Sequence, residues 1–278
     1  MARRVSVPSF VAQKGTRRLV CLTAYDVITA GILDDAGVDL ILVGDSLGNV
    51  VLGLETTLPV TLDQMVSHAA AVMRAKPKAL VIADMPFLTF QISPEDTLRN
   101  AGRLIQEAGV DGVKVEGARG EHVRMLVQAG IPVMGHLGLT PQSVNQLGGF
   151  RAQGKTAAAA KRLVEDALIL EESGCFSIVL ESVPARLAEL ISKKLSVPTV
   201  GIGAGAGCDG QVLVTHDLLG LFDRFTPKFV RKYADFHREM QKAFADYIED
   251  VETKRFPAPE HTVEMDDREW ELLLKEVG

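Results

Sequence analysis

The sequence predicts an α/β fold, a single-domain (βα)8 TIM barrel with an N-terminal arm and a C-terminal helical extension. At 278 residues and 47% hydrophobic composition, the chain has a length that α/β barrels commonly reach as one domain. Eight short apolar runs alternate with segments of helical pattern. Most runs are continuously apolar, which is typical of parallel strands buried on both faces. This repeated alternation favours a closed barrel over an open doubly wound sheet.

The first four predicted strands cover residues 18–24, 38–46, 79–84 and 112–116, and the last four cover 131–135, 176–181, 198–203 and 211–214. Only a short turn fits between the last two strands, so no helix is expected there. Residues 1–17 are basic and aperiodic, and we expect them to form an arm or small helix over the barrel floor. Each strand except the seventh is thus followed by enough chain to form a helix.

Start signals place the intervening helices. Asp26 caps a helix ending near Gly37, Thr61 begins a capping box whose helix runs to about residue 75, and Ser93 precedes a helix closing at Gly109. Further helices are predicted at 121–128, 156–173, 184–195 and 227–251, with long loops at 47–59 and 137–154. The barrel domain is assigned to residues 1–255. Residues 256–278 form an extension in which apolar side chains at helical spacing are expected to dock on this or a neighbouring subunit.

Composition excludes several classes of partner. The net charge of -6 and the lack of a Lys/Arg cluster interleaved with aromatics argue against nucleic acid and acidic membrane surfaces. No apolar run approaches the roughly 18 residues that span a bilayer. Cys21, Cys175 and Cys208 are odd in number and widely spaced, which argues against a disulfide framework or zinc site. We therefore expect a cytoplasmic protein.

Acidic residues end several of the predicted strands. Asp45 and Asp84 close the second and third strands, and Glu116 closes the fourth. The carboxyl ends of parallel strands share one face, so these oxygens would converge there. Two carboxylates that leave positions free for water and substrate suit Mg²⁺. The alternative for any single one of these aspartates is a helix cap.

Three further rim residues carry ionisable groups. Lys114 lies two positions before Glu116, so both point to the same strand face, either as a buried ion pair or as a substrate anchor beside a metal ligand. Glu181 ends the sixth strand and is the candidate general base, because an apolar mouth raises a carboxylate's pKa; the alternative is a helix cap. His136 would orient substrate or shuttle a proton, or serve as a hydrogen-bonded core histidine.

Other motifs receive no catalytic role. His68, His122, His216, His237 and His261 lack metal-ligand spacing. Residues 205–210 match Gly-x-Gly-x-x-Gly, but a strand follows, so a tight turn is favoured over a dinucleotide site. Cys208 within this turn is either a reactive thiol or, as we favour, a small filler.

Several stretches in the same order resemble the ketopantoate hydroxymethyltransferase family. The resemblance runs from about Thr23 to His261 and rests on Gly44-Asp45-Ser46-Leu47-Gly48, Leu58-Pro59-Val60-Thr61, Lys114-Val115-Glu116-Gly117, Gly135-His136-Leu137-Gly138-Leu139-Thr140-Pro141-Gln142-Ser143, Leu180-Glu181 and Gly201-Ile202-Gly203-Ala204-Gly205.

This resemblance implies a magnesium-dependent barrel enzyme that transfers a one-carbon unit from 5,10-methylenetetrahydrofolate to 3-methyl-2-oxobutanoate. It implies Asp45 and Asp84 as metal ligands, with Glu116 in or next to that shell. The keto-acid contacts would be Asp45, Ser46, Asp84 and Lys114, with Glu181 as proton acceptor. Family members form large homo-oligomers, commonly decamers. The chain departs from the family in residues 206–208 and in extending beyond His261, which bears on assembly.

Two other functions compete with this interpretation. The nearest enzyme rival is a carbon-carbon lyase or phosphoenolpyruvate-type mutase on a related magnesium barrel. Those lyases use a cysteine on a mid-chain loop, and no cysteine occurs here between Cys21 and Cys175. The second rival is a barrel kept as a binding or scaffold protein, which predicts loss of at least one rim residue. Asp45, Asp84, Lys114 and Glu181 are all present.

Overall fold

A computed structural model describes residues 5–278, so residues 1–4 of the predicted arm lie outside the described residues. Eight parallel strands close into a barrel in sequence order, with the first strand pairing to the eighth, which confirms the predicted fold class. The strands are β1 Leu19–Thr23, β2 Leu40–Val43, β3 Leu80–Asp84, β4 Gly112–Glu116, β5 Val133–Gly138, β6 Ser177–Glu181, β7 Thr199–Ile202 and β8 Gly210–Leu213.

Helices surround the strands and extend the chain at both ends. They are α1 Val7–Val11, α2 Val27–Asp35, α3 Leu47–Val50, α4 Leu62–Arg74, α5 Pro94–Arg103, α6 Gly120–Gln128, α7 Val144–Leu147, α8 Ala157–Glu172, α9 Ala185–Lys194, α10 Thr215–Leu218, α11 Phe236–Glu252 and α12 Asp267–Val277. A π-helical turn, Leu104–Ala108, continues α5, and 3-10 turns occur at Pro141–Ser143 and Pro259–His261. No helix within residues 5–278 combines the length and apolar character needed to cross a bilayer.

The predicted caps form as expected at the helices that pack on the barrel. Asp26 accepts hydrogen bonds from the backbone N–H groups of Ile28 and Thr29 at the start of α2. Thr61 and Gln64 form the reciprocal capping box of α4, and Ser93 caps α5 ahead of Pro94. Each cap satisfies N–H groups that have no partner inside the helix, so the helix starts were readable from the sequence.

The apolar core has two layers. The inner layer fills the barrel, and Phe10 of α1 enters it from below, edge-to-face with Phe176 at 5.9 Å between ring centroids. The outer layer lies between strands and helices and includes the outward side chains of β4, Val113 and Val115. The floor of the barrel is therefore closed by the arm, and the other end is left for polar groups.

Three predicted boundaries were wrong by three residues or more. Strand β2 ends at Val43 and not at Ser46, because Asp45 and Ser46 lie in a turn. Strand β5 continues past the predicted end at Gly135 to Gly138, because its last residues pair with Leu180 and Glu181 of β6. Helix α11 begins at Phe236, nine residues after the predicted start at Pro227. The intervening chain is instead bound to α10, with Tyr233 N donating to Leu218 O and Phe236 N to Leu219 O.

The C-terminal helices stand apart from the core. Neither α11 nor α12 has a buried residue. Apolar side chains on both are exposed, including Phe244 at 59% and Trp270 at 51%. The amphipathic pattern predicted for the extension is therefore present as helix α12, and its apolar side is uncovered in a single chain.

Candidate active site

Strand register assembles the candidate active site at the carboxyl end of the barrel. Asp84 of β3 is the pairing partner of Lys114 on β4. Glu116 of β4 is the partner of His136 on β5, and Glu181 of β6 is the partner of Gly138 on β5. Three adjacent strand pairs thus place polar groups side by side although they are far apart in sequence.

Asp45 and Asp84 are in direct contact at the rim. Asp45 follows β2, and its backbone N–H donates to Asp84 Oδ2 at 3.0 Å in a buried hydrogen bond. Gly44 permits this approach, because a Cβ there would lie 2.7 Å from Ser46 Oγ and 3.5 Å from Asp84 Oδ2. The Asp84 charge also acts on the Asp45 carboxyl group, so the two carboxylates expected to bind a cation lie near each other.

Lys114 is a buried cation of this cluster. Its Nζ lies 2.9 Å from Asp84 Oδ1, and both side chains are almost fully covered. Burial lowers the pKa of Lys114, but the charges of Asp84, Glu116 and Asp45 outweigh burial and raise it above the ordinary lysine value. Lys114 is therefore held in its charged form.

His136 connects two of the acids. Its Nδ1 lies 3.5 Å from Glu116 Oε1 and 3.3 Å from Lys114 Nζ, while its Nε2 lies 3.2 Å from Glu181 Oε2. Burial and the Lys114 charge lower the pKa of His136, but its contacts with Glu116 and Glu181 outweigh them and raise it to about 9. The imidazole thus bridges the acid that ends β4 and the acid that ends β6.

Glu181 differs from the other acids in its exposure. Its side chain is 16% exposed, against 4% for Asp84 and 5% for Glu116. A molecule entering the mouth of the barrel therefore meets Glu181 more readily than those two acids. This position suits an acid that exchanges a proton with a substrate.

Ser46 is placed by Tyr25. The Ser46 Oγ and Tyr25 OH groups lie 2.8 Å apart, and burial raises the pKa of Tyr25 above its ordinary value, so the phenol stays protonated. His68 Nδ1 contacts Tyr25 O at 2.7 Å, and the His216 ring packs 5.5 Å from the Tyr25 ring. Two histidines without an assigned role therefore support Tyr25 behind the site.

Gln142 is a site residue to which the sequence reasoning gave no role. It lies in the 3-10 turn after β5, is 5% exposed, and contacts two of the rim acids. Its Nε2 donates to Asp45 Oδ2 at 2.9 Å, and its backbone N–H donates to Glu116 Oε2 at 3.1 Å. The residue stands in the quoted family stretch after Thr140-Pro141, but only the fold reveals which acids it touches.

Negative charge exceeds positive charge in the cluster, and this fits a divalent cation. Burial, then the charges of Asp84 and Glu116, raise the pKa of Asp45 far above its usual range. Glu116 Oε1 is buried, and its contact among the described residues is the long one of 3.5 Å to His136 Nδ1. A hard cation such as Mg²⁺ is bound through one or two carboxylates, with water and substrate completing its shell.

A complete cage of protein ligands is not present. Within residues 5–278, no three His, Cys, Asp or Glu side chains are grouped as they would be around an ion held by protein alone. The donor set fits an ion whose remaining positions are filled from solution. The predicted ligand set of Asp45, Asp84 and Glu116 stays a prediction.

Residues 205–210 lie away from this rim. They form the turn that leads down from β7 to the start of β8, and Arg18 Nη1 donates to Cys208 O. Cys208 is 1% exposed, and burial raises the pKa of its thiol. These observations favour a packing role for the turn and for Cys208.

The chain is similar to known proteins over almost its full length. Residues 4–259 match the family model for ketopantoate hydroxymethyltransferase. A protein from Syntrophobacter fumaroxidans named 3-methyl-2-oxobutanoate hydroxymethyltransferase is 54% identical over 275 residues, covering 98% of each chain. One of the same name from Enterococcus faecalis is 54% identical over 258 residues, covering 92% of this chain and 94% of the relative.

Solved structures show the same fold at low identity. The phosphoenolpyruvate phosphomutase of Streptomyces platensis superposes with a TM-score of 0.61 at 13% identity, covering 98% of this chain and 96% of that one. At this level of identity, the likeness supports the barrel architecture alone.

Proposed function

The chain belongs to the ketopantoate hydroxymethyltransferase family, and on that premise we propose that it acts as a 3-methyl-2-oxobutanoate hydroxymethyltransferase in pantothenate biosynthesis. In this reaction C3 of 3-methyl-2-oxobutanoate loses a proton and forms a carbon-carbon bond to the methylene carbon of 5,10-methylenetetrahydrofolate. The carbon-nitrogen bonds of that methylene break, and water supplies the hydroxyl oxygen. The products are 2-dehydropantoate and tetrahydrofolate.

The observation that carries the proposal is the convergence of one lysine and four acids on one rim. Asp84 lies 2.9 Å from Lys114, Asp45 donates its N–H to Asp84, and Glu181 lies 3.2 Å from His136. A 2-oxo acid needs cationic partners for its carboxylate and keto oxygens and a base near C3. The rim offers both within the reach of one small molecule.

We assign the cation site to Asp45 and Asp84, with Glu116 as a direct or water-mediated ligand. Mg²⁺, when bound, supplies positive charge that withdraws electron density from the keto and carboxylate oxygens of the substrate. Lys114 adds a fixed positive charge on the same side, and Ser46 Oγ, held by Tyr25 OH, donates a hydrogen bond to the substrate. These groups orient the keto acid and lower the energy of the enolate.

Glu181 is assigned as the base that takes the C3 proton. Its partial exposure lets it reach the substrate, and its contact with His136 holds the carboxylate in place. His136 also faces Glu116, so it orients the base relative to the cation site. The proton at C3 is removed by Glu181 Oε1 or Oε2, and the carbanion electrons move into the enolate.

We propose a cytoplasmic enzyme that takes folate as a small-molecule co-substrate and has no nucleic-acid or membrane partner. The exposed apolar residues of α11 and α12 support a homo-oligomer, because contiguous uncovered apolar surface is rare on monomers. A decamer is the assembly that the family resemblance implies.

An assay of product formation tests the function. The purified protein is incubated with Mg²⁺, 3-methyl-2-oxobutanoate and 5,10-methylenetetrahydrofolate, and 2-dehydropantoate is followed by mass spectrometry. We expect product only when all three are present, and C3 deuterium exchange in D₂O without folate. Cleavage of isocitrate or methylisocitrate, with no folate-dependent product, would instead assign the lyase function.

A further inference from the structure

Gln142 occupies an unusual place among the buried polar groups. Its side-chain Nε2 donates to two acceptors, Asp45 Oδ2 and Met85 O, each at 2.9 Å. Its backbone N–H donates to Glu116 Oε2 at 3.1 Å. Pro141 before it has no N–H group, so the N–H of Gln142 is the first that the 3-10 turn can direct at the site. One residue therefore holds an oxygen of each of two rim acids.

The orientation of the Gln142 amide is determined by a second glutamine. Gln91 Nε2 donates to Gln142 Oε1 at 3.1 Å, and Gln91 Oε1 accepts from Phe90 N at 3.3 Å. If the Gln142 amide were rotated by half a turn, its oxygen would face the Asp45 carboxylate and the Met85 carbonyl, which are both acceptors. The chain of donors from Phe90 to Asp45 thus permits one orientation.

These contacts leave defined oxygens for other partners. Asp45 Oδ2 and Glu116 Oε2 each accept a hydrogen bond from Gln142, so the second oxygen of each acid is the one that can face a ligand. Glu116 Oε1 is buried, and its contact among the described residues is the long one of 3.5 Å to His136 Nδ1. Groups that hydrogen-bond to metal ligands orient those ligands and affect metal affinity.

We propose that Gln142 is a positioning residue that orients the carboxylates of Asp45 and Glu116 for a divalent cation, and that Gln91 sets the orientation of its amide. This inference rests on the cation site of the proposed function. Gln142 does not itself bind the ion or the keto acid. It acts by holding one oxygen of each acid away from the ion, so that the acids present single oxygens to it.

The first test replaces the amide by an apolar group of similar shape. For Gln142→Met, we expect the Mg²⁺ dissociation constant from isothermal titration calorimetry to rise about 10- to 100-fold. Saturating Mg²⁺ should recover most of kcat, because the reacting groups are unchanged. The matched control is Gln128→Met on the exposed side of α6, which should leave both quantities as in the unsubstituted protein. Melting temperatures in EDTA show whether each variant is folded.

The second test acts on Gln142 without touching the acids. Gln91→Glu places an acceptor opposite Gln142 Oε1 and favours rotation of the amide, so its oxygen turns toward Asp45. We expect Mg²⁺ binding to weaken about tenfold, and by less in Gln91→Met, which removes the donor without adding an opposing acceptor. In a Gln142→Met background, Gln91→Glu should have no further effect. This variant lies in a partly exposed loop, so it remains informative if Gln142→Met fails to fold.

Three results would overturn the inference. They are a Mg²⁺ dissociation constant within twofold of the unsubstituted protein for Gln142→Met, an equal effect of Gln91→Glu in both backgrounds, and absence of Mg²⁺ binding by the unsubstituted protein. Failure of the proposed function is distinguishable. In that case 2-dehydropantoate does not form, yet the calorimetric differences between the variants persist and the positioning role stands.

Discussion

The two ends of the barrel use buried acids in opposite ways. At the amino end, Asp39 accepts from Val20 N at 2.9 Å and pairs with Arg17, and Asp209 accepts from Thr199 N at 2.8 Å and from Lys14 at 2.7 Å. At the carboxyl end, Asp84 and Glu116 lie close enough to Asp45 for their charges to oppose its ionisation, and the Lys114 charge interacts with all three acids.

The difference separates stability from chemistry. Each amino-end acid joins neighbouring strands or the arm through backbone N–H groups and one cation, so it contributes to folding. At the carboxyl end, burial and the charges of Asp84 and Glu116 raise the pKa of Asp45, so ionising Asp45 in the folded protein costs stability in the absence of a cation. We therefore expect substitutions at the two ends to have different signatures in activity and in unfolding.

The largest expected effect is on activity and comes from Glu181→Gln. Removing the proposed base should slow C3 deuterium exchange of 3-methyl-2-oxobutanoate in D₂O, followed by NMR, by about 10²- to 10⁴-fold. Mg²⁺ and keto-acid binding and the melting temperature should stay near those of the unsubstituted protein. Glu172→Gln, on the exposed side of α8, is the control. Exchange at the original rate would remove Glu181 from the base role.

The next effect is on stability and comes from the amino end. Asp39→Ala leaves Val20 N–H and Arg17 without their acceptor, so the free energy of unfolding should fall by about 2–3 kcal/mol. Denaturant titration followed by circular dichroism measures this, while kcat of the folded fraction should be unchanged. Asp35→Ala, at an exposed position of α2, should be close to neutral. A large loss of kcat in Asp39→Ala would contradict the division between the two ends.

A smaller and opposite effect is expected from Asp45→Asn. Burial and the neighbouring acids raise the pKa of Asp45 to about 8, so without a cation the carboxyl must take up a proton on folding at neutral pH, and this costs stability. Neutralising it should raise stability in EDTA by about 1 kcal/mol, or about 2–4 °C in melting temperature, and should abolish tight Mg²⁺ binding. Thermal unfolding with EDTA and with Mg²⁺ tests both parts; a destabilised variant in EDTA would refute the explanation.

The smallest effect concerns Asp217 of α10, which shares the carboxyl end but lies outside the cluster. Burial raises its pKa to about 6. A carboxyl pKa above the unfolded value means that Asp217 contributes stability below about pH 4 and that this contribution is lost as pH rises through about 6. Asp217→Asn should therefore reduce the pH dependence of the melting temperature between pH 4 and 6.5. Asp246→Asn on α11 should leave that dependence unchanged. Parallel profiles for all three proteins would contradict this.

The fold was predictable because its signals are local. Continuous apolar runs identify the strands, and Asp26, Thr61 and Ser93 identify helix starts through hydrogen bonds to residues two or three positions away. The predictions failed where distant partners decide the outcome. The end of β5 depends on its pairing with β6, and the start of α11 depends on hydrogen bonds to α10.

The site divides in the same way. Asp45, Asp84, Lys114, Glu116 and Glu181 were selected because strand ends converge in any parallel barrel. Gln142 and Tyr25 received no role, because a neutral side chain acquires one only through its partners. Those partners are up to 97 positions away for Gln142, and no spacing rule relates them.

The position of Lys114 and Glu116 within β4 restricts where insertions and deletions can be accepted during evolution. Strand alternation sends both side chains into the mouth while Val113 and Val115 face the helices. Inserting or deleting one residue before Lys114 would turn both charged side chains toward the helices and bury them in the apolar outer layer. Length variation should therefore accumulate in the loops above the mouth, where new substrates can be accommodated, while β4 keeps its length.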